Sequence, residues 1–231
     1  LQGIQELDST VFYPLLLRLC NALEQEMLDQ DGFVHCLDAL ESFYVRRLVC
    51  GVPTNALNKI TLELCLNLPE VDQNAWLREK LAQGSGGRRW PTDEEFCDAI
   101  VTQRIYPRRK IARYMLIAIE EAFEHKEPVD TRTATMEHIM PQTLSAEWKV
   151  SLGEEHATIH DKWLDTLGNL TLTGYNSELG NASFEEKKAK LHNTHFELSR
   201  QLLEMASWGG DEIRARGEQL AGLSLKRWGR T

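Results

Sequence analysis

Apolar residues recur at helical spacing from Val11 to Met27, from Phe33 to Cys50 and from Leu57 to Leu66, separated by turn signals at Asp29 to Gly32 and at Gly51-Val52-Pro53. The first part of the chain therefore reads as packed helices. Gln83-Gly84-Ser85-Gly86-Gly87 reads as a flexible loop, after which Thr92 or Asp93 can cap a helix running to Ile105. Pro107 ends that helix, and Lys110 to His125 reads as another.

Around Glu127-Pro128-Val129-Asp130 the texture changes, which divides a helical region, 1–128, from a second region, 129–231. Thr131, Thr133 and Thr135 alternate with Arg132, Ala134 and Met136, a period-two pattern that predicts a short strand ending at Glu137-His138. Pro141 forbids its simple continuation. Helical stretches follow at about Ser145 to Leu152 and His156 to Leu167; Gly168 breaks the pattern and Asn169 to Thr173 alternates again, up to Gly174. Ser183, three residues before Glu186, predicts a capping box opening a helix to about Leu191, with further helices at Phe196 to Trp208 and Asp211 to about Lys226. The order is strand, long insertion, strand, turn, helix, within a mainly α chain.

At 231 residues the chain can bury one large core or two small ones. It holds no apolar run long enough to cross a bilayer and no charged-then-apolar leader, which predicts a soluble, cytoplasmic protein with no membrane partner. Leu1 is not an initiator and stands within an amphipathic pattern, so a piece of a longer protein is expected. The five cysteines, Cys20, Cys36, Cys50, Cys65 and Cys97, are odd in number and form no C-x-x-C pair, which excludes a disulfide framework and a cysteine zinc site.

A net charge of -9, taken as a sum, argues against handling nucleic acid, but the acidity is uneven. Residues 1–103 carry 8 basic and 16 acidic groups, 104–136 carry 7 and 5, and 137–231 carry 11 and 14. Local basic groups remain at Arg104, Arg108, Arg109, Lys110 and Arg113, at Lys187, Lys188 and Lys190, and at Lys226, Arg227 and Arg230. Phosphate binding needs a basic patch on one face rather than a positive total.

Glu137-His138-Ile139-x-Pro141-Gln142, Leu167-Gly168-Asn169-Leu170-Thr171-Leu172 and Tyr175-Asn176-Ser177-x-Leu179 closely resemble the C-terminal HNH-type half of GmrSD-family modification-dependent restriction enzymes, a group that includes phosphorothioate-sensing SspE proteins. Glu41 to Arg47 and Asn55 to Lys59 resemble the helical part of that half, more weakly. The resemblance implies a helical region carrying a small ββα-metal, HNH-like nuclease core. It assigns the general base to His138, loop support to Asn169 and metal ligation to Glu137 and Asn176, with Asn181 as the rival ligand. The implied ion is Mg²⁺, or Mn²⁺, because the ligands are hard oxygens and no cysteines flank them. It further implies DNA, from phage or carrying modifications, as substrate, and an N-terminal nucleotide-hydrolysing sensor domain. That sensor lies outside this chain: Gly84-Ser85-Gly86-Gly87 lacks the Lys and the helix of a phosphate-binding loop.

Each residue also has a plainer reading. A lone histidine after a strand is commonly structural, and asparagines at turns are commonly caps. Lys187, Lys188 and Lys190 fit phosphate contact and an ordinary solvated helix face equally. His156 and His160 have no third ligand spaced to join them, His192 and His195 flank a helix end, and Trp148 and Trp163 are placed to staple the long insertion to the core. The rival to an endonuclease is a non-catalytic DNA-binding or assembly module on an HNH-like scaffold.

Overall fold

A computed structural model describes residues 10–123, 129–174 and 179–230. The chain divides into two compact units, Leu1–Phe96 with Trp228–Thr231, and Cys97–Arg227. The change of texture near residue 128 thus falls inside the second unit. Residues 124–128, which include Glu127 and Pro128 of that boundary, and 175–178, where the turn holding Asn176 was expected, lie outside the described residues.

In the first unit the expected helices form as α1 (Tyr13–Glu24), α2 (Gln30–Val49) and α3 (Leu57–Asn67), followed by α4 (Gln73–Ala82), which the pattern did not announce. Helix α4 buries Gln73, Leu77 and Leu81, and a stripe that begins on glutamine is easily missed. Asp29 caps α2 by accepting a hydrogen bond from the Gly32 amide at 2.7 Å. Two adjacent arginines of α2 are fully buried. Arg46 donates to the carbonyls of Trp228 (2.7 Å) and Pro91 (3.0 Å) and pairs with Asp93, while Arg47 donates to the carbonyls of Pro53, Gly87 and Arg89. They thereby fasten the glycine-rich loop and the chain end that an apolar side chain could not hold.

Next come α5 (Asp93–Thr102), capped by the Thr92 hydroxyl accepting from the Glu95 amide, and α6 (Arg109–Glu121). Strands β1 (Thr135–His138) and β2 (Leu170–Thr173) pair antiparallel, with Glu137 opposite Thr171 and His138 opposite Leu170. Strand β1 begins at Thr135 rather than at Thr131. The Arg113 guanidinium gathers the carbonyls of Thr131, Arg132 and Ala134, which bends that stretch away from a flat alternating strand. The insertion between the strands carries α7 (Ala146–Leu152) and α8 (His156–Trp163).

After β2 the expected capping box opens α9 (Phe184–Leu191). The Phe196 to Trp208 stretch is a short helix, α10 (Glu197–Arg200), with a 3-10 turn at Gln201–Glu204, and α11 (Gly210–Arg227) completes the second unit. Its core gathers Ile139, Met140, Trp148, Trp163, Leu179, Phe184, Leu191, Leu202, Trp208 and Ile213. Trp148 also donates to the Ala182 carbonyl at 2.9 Å, so the insertion is stapled as anticipated. Gly168 packs directly on α11, where a Cβ would run into the Ile213 carbonyl oxygen. The architecture is mainly α with one two-stranded sheet among the described residues, and no described helix is long and apolar enough to cross a membrane.

Candidate active site

Strand alternation sends the neighbouring Glu137 and His138 to opposite sides of β1. His138 is 5 % exposed, and its Nε2 lies 3.4 Å from Oδ1 of Asp165. A carboxylate can only accept, so this contact places the proton on Nε2 and leaves the Nδ1 lone pair available. Burial holds the imidazole below its ordinary pKa, and Asp165 opposes that only in part. The ring is neutral near pH 7. Asp165 is fixed in turn by Arg104 at 3.0 Å, while its own carbonyl accepts from the amides of Ile105 and Tyr106. The Tyr106 ring meets the His138 ring edge-on, with centroids 4.2 Å apart.

On the other side, Lys187 of α9 reaches up to the strand end. Its ammonium donates to Glu137 Oε1 at 2.7 Å and to the His138 carbonyl at 2.6 Å. Burial pushes the Glu137 carboxyl upward and the Lys187 amine downward, each offset in part by the other's charge. Oε2 of Glu137 makes no hydrogen bond among the described residues.

Asn169 is fully buried and uses its whole amide: Oδ1 accepts from the Met140 amide and from Trp208 Nε1, and Nδ2 donates to the carbonyls of Met140 and Leu164. It ties the loop after His138 to the end of the insertion. Arg216 of α11 supports the same turn through the carbonyls of Gly168 and Leu170, and burial lowers its pKa to about 10.

The expected basic trio of α9 separates. Lys187 is 2 % exposed and turned inward, so it is not a surface contact for phosphate; desolvation would not leave it there without Glu137. Lys188 is held by Glu185 and the Met205 carbonyl, and Lys190 is exposed. Asn181 is exposed after the turn, and Asn176 lies outside the described residues. His160 donates to the Pro141 carbonyl, a structural role. Among the described residues no three His, Cys, Asp or Glu side chains gather around a common cation position.

Sequence reasoning missed Asp165 and the inward pairing of Lys187 with Glu137. Lys187 had a signal, since it shares one helix face with Phe184 and Leu191 at spacings of three and four. Asp165 had none, because its partners Arg104 and His138 are 61 and 27 residues away.

Residues 90–223 match the family model described as the GmrSD restriction endonucleases, C-terminal domain. No curated protein matches the chain.

Proposed function

The chain belongs to the GmrSD restriction-endonuclease family through this C-terminal domain, and from that premise we propose that it is an HNH-type, metal-dependent DNA endonuclease domain. The observation that carries the reading is the state of His138: buried, held neutral, and with Nε2 engaged by Asp165 so that Nδ1 can take a proton. Water attacks the phosphorus, its proton passes to Nδ1, and one P–O ester bond breaks, its leaving oxygen taking a proton from solvent water, which leaves a phosphate on one strand end and a hydroxyl on the other. Asp165 is a positioning residue that fixes the tautomer and steadies the imidazolium formed. Asn169 keeps the loop after His138 in place.

The donor chemistry fits a hard divalent ion. Mg²⁺ commonly takes one or two carboxylates, with waters and substrate phosphate oxygens completing its shell, so a site without three clustered carboxylates or histidines is suitable. Glu137 through Oε2 would hold Mg²⁺ or Mn²⁺ together with the amide oxygen of Asn176, or of Asn181. The ion supplies charge neutralisation at the phosphate and the leaving oxygen. Target choice falls to an N-terminal nucleotide-hydrolysing sensor of modified or phage DNA, so the whole protein acts in antiviral restriction in the cytoplasm.

A second reading, a non-catalytic module on the same scaffold, is favoured by one observation: the Lys187 ammonium already neutralises Glu137. Supercoiled plasmid with Mg²⁺ or Mn²⁺ separates the two. The wild type should nick it, and both His138→Ala and Glu137→Gln should abolish nicking; plasmid left intact by the wild type, or relaxed equally by His138→Ala, establishes the second reading instead.

A further inference from the structure

Resting on the nuclease reading, we propose that the DNA strand presented to His138 is gripped along the exposed segment from Pro107 to Lys110, with the Arg109 guanidinium on a backbone phosphate, rather than along α9. Arg108, Arg109 and Lys110 are consecutive and exposed there, and Arg109 is the one linked to the imidazole. The link is geometric. The Arg109 guanidinium sits over the Tyr106 ring at 5.0 Å, and that ring meets the His138 ring at 4.2 Å.

These two contacts in series keep the guanidinium within about 9 Å of the imidazole, a few phosphate steps along a strand that carries one charge per ~3.4 Å of axis. A guanidinium lying over an aromatic ring uses its face, which leaves the N–H donors at its edge for a phosphate. Among the described residues Arg109 makes no ion pair, whereas Arg104 is divided between Asp165 and Asp161. The cations also crowd the first turn of α6, which carries no acidic residue, although a helix start favours negative charge.

The lysines of α9 are less suited. Lys187 faces inward to Glu137, and Lys188 is only 17 % exposed and bonded to Glu185 and the Met205 carbonyl. Of the two stretches that the charge pattern marked, this one therefore sets an exposed cation against the ring that meets the proposed base.

The test measures binding apart from cleavage. Fluorescence anisotropy of a short labelled DNA duplex, in Ca²⁺ and over a range of salt, is run on this chain as wild type, Arg109→Ala, Arg109→Glu, the double variant Arg108→Ala with Arg109→Ala, and Lys188→Ala, alongside Mg²⁺-dependent plasmid nicking. Arg109→Ala should weaken binding several-fold and lower the log–log salt slope by about 1, with Arg109→Glu weaker still and the double variant losing about 2. Lys188→Ala should bind as wild type. Because Arg109 is exposed, unchanged melting temperatures will separate lost contact from lost fold. Wild-type affinity and slope in the Arg109 variants, or a larger loss in Lys188→Ala, overturns this assignment while nicking by the wild type keeps the nuclease reading; a wild type that neither binds nor nicks removes both.

Discussion

The buried arginines of α2 and the buried charges at the end of β1 are the same kind of anomaly put to different uses. Arg46 and Arg47 direct their donors largely to backbone carbonyls on loops far along the chain. Such a guanidinium is a fastener: most of its donors satisfy orphan backbone acceptors, and Arg47 Nε, which makes no hydrogen bond, is buried and offers no lone pair to a reactant. At β1 the bonding is deliberately incomplete. Glu137 keeps one oxygen and His138 one ring nitrogen without a partner among the described residues. Burial alone does not mark a functional charge; an open lone pair on a rigid strand end does. Arg216 is the control within the second unit, 1 % exposed and bonded to three carbonyls.

This contrast can be broken in order of effect. Arg46→Met should cost about 3 kcal/mol in denaturant unfolding, because the buried Pro91 carbonyl loses its donor and the Trp228 carbonyl keeps only the Ser42 hydroxyl; a loss under about 1 kcal/mol would end its description as a fastener. Lys187→Met should cost a similar ~3 kcal/mol by leaving a buried carboxylate alone, and adding Glu137→Gln should restore at least half of it. Additive losses in that double-mutant cycle would mean the pair is not coupled.

Asp165→Asn sharpens the comparison from the other side. It should leave unfolding free energy within about 1 kcal/mol yet lower the nicking rate roughly 10- to 100-fold with KM for DNA unchanged, since it acts through the His138 tautomer. A wild-type rate would remove Asp165 from the site. The smallest effect belongs to the first unit and to pH. Burial raises the Cys36 thiol from 9.0 to about 11, so both states keep the proton below pH 9 and only the unfolded chain loses it between the two values. Stability should therefore fall by about 1 kcal/mol from pH 8 to pH 10 on this account, and Cys36→Ala should flatten that part of the curve.

Much of the frame was legible because it is local. The helical periodicity of α1 to α3, the Thr92 cap, the break at Gly168 and the Ser183–Glu186 capping box each depend on residues within a few positions. Where distant groups intervene the reading failed. Arg113 shortens β1 from across 18 or more residues, and the Lys187 that looked like surface charge is held inside by a carboxylate 50 residues earlier.

By itself, then, the sequence determined the mainly α class, the strand–insertion–strand–helix order, and Glu137, His138 and Asn169 as the residues of interest, since spacing and residue type suffice for those. Tertiary structure decided which nitrogen of His138 is hydrogen-bonded, that Lys187 pairs with Glu137 inside the fold, and that Arg109 lies over the ring that meets the imidazole. Hydrogen-bond geometry and desolvation are set by what folds against a residue, and neither is written in its neighbours along the chain.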